Sequence, residues 1–240
     1  MTDTRTFVLV HGAFHGGWCW RDVASILRAQ GHRVFTPTQT GLGERKHLMS
    51  RAITLDTFTD DIANLIEAEE LDDVVLVGHS FGANATSGVA ERMPGRIRHL
   101  VYLDSLIIEG GRSPFDALPA DVVAARRKGA ADSSGGLSIP VPSPDVFGVF
   151  DPEQTAWVNR HLTPQPLSVY ESRLSIKGPV GNGLPRTYVV CTDPIYAALA
   201  STRDWVRAQQ GWGWVEIATG HDAMVSAPAE TARILMDIAG

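Results

Sequence analysis

The sequence predicts an α/β fold, a doubly wound and mostly parallel sheet of about six strands with a cap inserted before the penultimate strand. Three observations carry that expectation. Short apolar, β-branched runs recur along the chain, and most are followed by a stretch with apolar residues at helical spacing. The run Val74–Val77 has the continuous apolar character of a strand buried on both faces of a parallel sheet. Between Leu106 and Leu184 the alternation stops, leaving a long proline-rich segment that exceeds an ordinary loop. The expected core is therefore 1–105 with 185–240, and 106–184 is the expected cap.

Taken in order, Phe7-Val-Leu-Val10 is the first strand and runs into the glycine-rich turn His11-Gly-Ala-Phe-His-Gly-Gly17. The next helix, about Trp18 to Gln30, carries Trp20, Val23, Ile26 and Leu27 on one face and stops at Gly31. His32–Thr36 is a strand ended by Pro37. After an irregular loop from Gln39 to Arg45, the residues Leu55, Phe58, Ile62, Leu65 and Ile66 mark a second helix. Asp73–Val77 then leads through Gly78-His-Ser-Phe-Gly82 into a helix of small residues. His99–Leu103, Thr187–Cys191 and Trp214–Ala218 complete the strands, with helices near 199–210 and 228–239. Inside the cap only Pro152–Leu162 shows clear helical spacing, and Arg126-Arg-Lys128 reads as a solvated helix face.

Composition narrows the function. With 240 residues, 44% hydrophobic and 20% charged, the chain can bury a substantial core, and a net charge of −6 without a basic cluster excludes nucleic acid as the expected partner. No run reaches membrane-spanning length and no apolar signal region precedes the first strand, so no membrane partner and a cytoplasmic location are expected. Cys19 and Cys191 stand far apart without metal-ligand spacing and read as buried free thiols; no metal is expected.

In an open α/β sheet the ligand sits beyond the carboxyl ends of the strands, so the residues there matter most. Gly-x-Ser-x-Gly forces its serine into a strained bend that lifts the hydroxyl clear of the sheet, which makes Ser80 a candidate nucleophile. A serine hydroxyl needs a base to take its proton and a carboxylate to orient that base. His221 follows the last strand and comes last in chain order, as such a base should; His11 and His79 read as supporting residues. The amide of Phe81, next after the serine, and the amide of Ala13, flanked by a flexible turn, are candidate oxyanion donors. Two carboxylates compete for the acid position: Asp104 after the strand that follows the serine strand, and Asp193 after the penultimate strand. Asp104 is favoured, because Pro194 leaves Asp193 little loop to swing under the imidazole.

On the residues Phe7–Trp20, Gly78-His-Ser-Phe-Gly82, Tyr188-Val-Val-Cys-Thr192 and Gly220-His221, the chain resembles the α/β-hydrolase superfamily. The similar branch contains plant methylesterases, salicylate-binding esterases and hydroxynitrile lyases, with their small bacterial esterase relatives. The resemblance implies Ser80 as nucleophile, His221 as base, and Ala13 and Phe81 as oxyanion donors. It departs from the lyases, which use a lysine where Asp222 stands and a threonine in the segment that here reads Gly12-Ala13. It also departs from the plant esterases, whose acid stands one place beyond Asp193.

The expected activity is hydrolysis of a small carboxylic ester, with no cofactor, through an acyl-enzyme on Ser80. Phe14, Trp18, Phe81, Leu106, Phe147, Trp157 and Leu162 are the expected pocket residues and would favour an apolar or aromatic group. The expected partner is a small-molecule ester, with oligomeric state left open and a homodimer among the options. Two other readings stay open: a catalytically silent small-molecule receptor, and a cofactor-free lyase or oxygenase using His221 as base.

Overall fold

In the computed structural model, which describes residues 4–240, the first part of the chain runs β1 (Thr6–Val10), α1 (Arg21–Ala29), β2 (Arg33–Phe35), α2 (Leu55–Ala68), β3 (Val74–His79), α3 (Ala83–Arg92) and β4 (Ile97–Leu103). The middle contributes α4 (Ala120–Ser134), β5 (Ser138–Ile139), α5 (Pro152–His161), β6 (Gln165–Pro166) and α6 (Leu167–Glu171). The last part returns to the sheet with β7 (Arg186–Cys191), α7 (Ala200–Ala208), β8 (Trp212–Ile217), α8 (Ala223–Ser226) and α9 (Pro228–Ala239). The first three residues of the expected core, 1–3, lie outside the described residues.

Six strands form one sheet in the order β2-β1-β3-β4-β7-β8, with every neighbouring pair parallel. The order reverses at β1, which places the carboxyl ends of β1 and β3 side by side at the point where α/β sheets leave a crevice. Phe7–Val10 and Val74–Val77 are fully buried, because helices cover both faces and each β-branched side chain packs on one of them. The seam between β4 and β7 joins Leu100, Val101, Tyr102 and Leu103 to Arg186, Thr187, Tyr188 and Val189, across the whole middle segment. A second pair, β5 with β6, is antiparallel and two residues long.

Local chemistry explains the helix positions. Thr54 caps α2: its side chain accepts from the Thr57 amide while the Thr57 hydroxyl accepts from the Thr54 amide. The stretch Trp18–Gln30 divides into a 3-10 turn, Gly17–Trp20, and α1 proper. In the middle segment the sequence reading finds clear helical spacing only at Pro152–Leu162, and the structure holds more helix than that. It forms α4 over 15 residues and the short α6 besides α5. The apolar residues of α4 are bunched at Val122–Ala125, and only Ala130 is buried, so no apolar stripe advertises the helix. Among the described residues no helix is long and apolar enough to cross a membrane.

Candidate active site

β3 delivers Ser80 at the start of a tight turn whose backbone has φ +52° at the serine, in the left-handed region that a residue with a Cβ enters only under strain. The flanking glycines make the turn feasible. A Cβ on Gly78 would stand 2.7 Å from Thr86 Oγ1 and 2.9 Å from Ala83 Cα, and one on Gly82 would collide with the His11 carbonyl. α3 therefore starts hard against β3, and the half-buried Ser80 hydroxyl projects from the sheet edge.

Ser80 Oγ lies 2.9 Å from His221 Nε2, and His221 Nδ1 lies 2.6 Å from Asp104 Oδ2. With a neutral ring, both contacts are satisfied when Nδ1–H donates to the carboxylate and Nε2 accepts from the serine hydroxyl. Asp104 has no exposure at all, yet both its oxygens are used, because the Cys191 amide donates to Oδ1 at 3.4 Å. Its backbone is strained too, at φ +39°, and its amide donates to the Val189 carbonyl at 2.7 Å across the β4–β7 seam. Asp193 is exposed, and no hydrogen bond or ion pair of its carboxylate is found among the described residues. The imidazole of His221 is walled by rings, with Tyr196 at 4.3 Å and His79 at 4.7 Å between centroids. His79 Nε2–H donates to the His221 carbonyl at 2.9 Å and so ties the serine strand to the histidine turn. Burial, then the neighbouring His221, hold the His79 pKa well below its ordinary range, which keeps this linking ring neutral.

The turn after β1 is held from three sides. His11 Nδ1–H donates to the Gly12 carbonyl at 2.8 Å while its Nε2 accepts from the Gln39 amide at 3.0 Å. Burial pulls its pKa down to about 3, so the ring is neutral, as that pattern requires. Because C=O and N–H point oppositely across a trans peptide, fixing the Gly12 carbonyl also fixes the Ala13 N–H. From the middle segment, Gln165 Oε1 accepts from the Phe14 amide at 2.8 Å, and the Thr163 amide donates to the Phe14 carbonyl at 2.9 Å. Phe14 sits at φ +68°, a strained backbone that these two bonds hold.

The third hold is a buried ion pair. His15 Nε2 lies 2.9 Å from Asp222 Oδ2 and its Nδ1 lies 2.7 Å from the Ala13 carbonyl. Both partners are acceptors, so both ring nitrogens are donors and His15 is an imidazolium. Burial disfavours that charge, but Asp222 and the two hydrogen bonds outweigh it, leaving the His15 pKa above its usual value. Burial likewise pushes Asp222 upward, and His15 outweighs it to leave the carboxyl below its usual range.

These groups surround a cavity with about 50 Å³ accessible to the centre of a water molecule. Of the expected pocket residues, Phe14, Phe81, Leu106 and Phe147 line it, as do Ala13, Ser80 and His221. Trp18, Trp157 and Leu162 do not. Trp18 stacks on His15 at 5.2 Å and meets Trp157 at 5.0 Å, one layer behind the wall. Trp157 borders a separate surface cleft with Arg21 and Glu153, and Leu162 is core. Arg126, Tyr170 and Tyr196 line the cavity and escape the sequence reading, which places Arg126 on a solvated face. Asp222, following His221 directly, was the one nearby signal, and its partner His15 lies in the glycine-rich turn.

A model described as the alpha/beta hydrolase family matches residues 7–234. The carbendazim hydrolyzing esterase of Nocardioides sp. (strain SG-4G) is 43% identical over 95% of this chain and 97% of its own length. Methylesterase 10 of Arabidopsis thaliana is 26% identical over 97% of this chain and 91% of its own length. Among solved structures, an extracellular alpha/beta-hydrolase from a Paenibacillus species, described as sharing structural and functional homology with tobacco salicylic acid binding protein 2, superimposes with a TM-score of 0.85. It is 27% identical and covers 98% of this chain and 99% of that one.

Proposed function

Because the chain belongs to the alpha/beta hydrolase family, we propose that it is a carboxylic-ester hydrolase working through an acyl-enzyme on Ser80. The observation that carries this reading is the unbroken line of hydrogen bonds Ser80–His221–Asp104 at the floor of a cavity. A relative named as an esterase across nearly the full length of both chains supports it.

In this mechanism Ser80 Oγ attacks the ester carbonyl as its proton passes to His221 Nε2. Asp104 keeps the Nδ1–H tautomer and steadies the imidazolium that forms. The Ala13 and Phe81 amides receive the developing oxyanion, the first pre-aligned by His11. The tetrahedral intermediate collapses, His221 protonates the departing alcohol, and the acyl group remains on Ser80. Water then attacks, giving its proton to His221, and a second collapse releases the acid and restores the serine hydroxyl. The segment 106–184 acts as the cap, and its Phe147 and Tyr170 shape an aromatic-walled site for a small group. Asp222, at the position where a lyase lysine would stand, is engaged by His15, which supports hydrolysis over a lyase reaction. A cytoplasmic location belongs to this reading, supported by two buried free thiols, Cys19 and Cys191.

Incubation with a fluorophosphonate probe is expected to label the native protein once, and short aryl esters are expected to turn over. Ser80→Ala should abolish both. A folded sample that takes up no label would overturn the reading and favour a silent receptor.

A further inference from the structure

Besides His15, which is paired with Asp222, the cavity is lined by a cation that this chemistry does not use. Arg126, on α4, is the one lysine or arginine among the residues lining it. Its neighbours in sequence are paired, Arg127 with Glu171 and Lys128 with Asp132. No ion pair of Arg126 is found among the described residues. Its guanidinium carbon lies 4.7 Å from the centre of the Tyr170 ring. A guanidinium carries five N–H donors in a planar fork matched to a carboxylate, and contact with one ring does not use them all.

The position of Arg126 adds a second observation. Arg126, Phe14, Phe147 and Tyr196 also line a shallower neighbouring groove of about 400 Å³, whose other walls are mainly apolar residues such as Val122, Ile139 and Val146, with Asp121 the one carboxylate among them. The cavity at Ser80 and the groove share these four lining residues, so a substrate that extends from the first into the second passes Arg126. A partly buried guanidinium at the junction of the two spaces, with no ion pair of its own found among the described residues, is placed to meet an anionic group on a substrate that spans them.

We propose that Arg126 is the specificity residue of this site, and that the preferred substrates are esters bearing a second, free carboxylate that docks on its guanidinium while the remaining carbon chain lies in the groove. The proposal rests on the esterase reading and deepens it.

The test compares kcat/KM for matched pairs of esters. One arm uses monomethyl esters of four- to eight-carbon dicarboxylic acids against methyl alkanoates of equal length, placing the carboxylate on the acyl side. The other uses acetates of ω-hydroxy acids against simple alkyl acetates, placing it on the alcohol side. In at least one arm the native enzyme should prefer the charged ester by about 10- to 100-fold, the scale of a charge-assisted hydrogen-bonded pair. Rising ionic strength should erode that ratio. In Arg126→Gln the ratio should fall to near one, and in Arg126→Lys to an intermediate value, since an ammonium keeps the charge but not the fork. If Arg126→Gln does not fold, the lysine variant and the salt dependence of the native enzyme still decide. Neutral esters hydrolysed with no charged preference in either arm, or a preference unchanged in the variants, would overturn the proposal. Failure to hydrolyse any ester of the panel would instead count against the esterase reading itself.

Discussion

Asp104 and Asp193 differ by more than position. The first has its carboxylate shielded from water and meets His221 at 2.6 Å; the second is exposed, with no hydrogen bond of its carboxylate found among the described residues. Asp104→Asn should therefore lower kcat by roughly 10³ to 10⁴ while Asp193→Asn lowers it by less than about tenfold, measured with a soluble aryl ester. The reverse pattern in folded variants would return the acid role to Asp193. Ser80 and His221 were legible because their signals are local: two glycines around a serine, and a histidine after the last strand. The preference for Asp104 also followed from sequence, through the short Pro194 turn. Arg126 and Tyr196 were not legible, because nothing in their own neighbourhoods says which cavity they face. That depends on how the middle segment folds back on the sheet.

Among elements, the strap from Thr163 to Gln165 is the one whose role least resembles its sequence. β6 is two residues long, yet Gln165 holds the Phe14 amide, and the Thr163 hydroxyl accepts from the Gly43 amide at 3.0 Å. It thus clamps the turn after β1 and the loop before α2 at once. Gln165→Ala should leave the buried Phe14 amide without a partner and cost about 1 to 3 kcal/mol of stability. With one of the two bonds that hold Phe14 gone, kcat should fall by roughly tenfold through drift of the adjoining Ala13 amide. Steady-state kinetics with urea unfolding would check both, and unchanged kcat in the folded variant would show that the strap does not tune the turn. α4 was legible only as the helix face at Arg126–Lys128, for the opposite reason: it is long, but its bunched valines leave no period from which its extent could be read. The sheet strands were readable because burial on both faces demands an uninterrupted apolar run.

For the molecule as a whole, the His15–Asp222 pair links stability to pH. Asp222 contributes above the usual carboxylate range near pH 4, and that contribution is lost as pH falls through its depressed folded value. His15 contributes below about pH 6.5, and its share is lost as pH rises through its raised folded value. The pair therefore stabilises the fold most fully between roughly pH 4 and 6.5. Asp222→Asn should cost about 3 kcal/mol in that window, with a smaller deficit at pH 9, by urea unfolding at both pH values. A deficit equal at both would mean that the pair is not ionised. The doubly wound architecture itself was legible from alternation alone, whereas the proline-rich middle offered length and no geometry. The β4–β7 seam carries a further consequence. It is where residues before the middle segment are zipped to residues after it, and it is also what brings Asp104 on one side to Cys191 on the other. Ser80 and Asp104 arrive with the leading half of the sheet, and His221 with the trailing half. No partially assembled state that lacks this closure can hold a complete site, so ester turnover counts only molecules whose two halves have met.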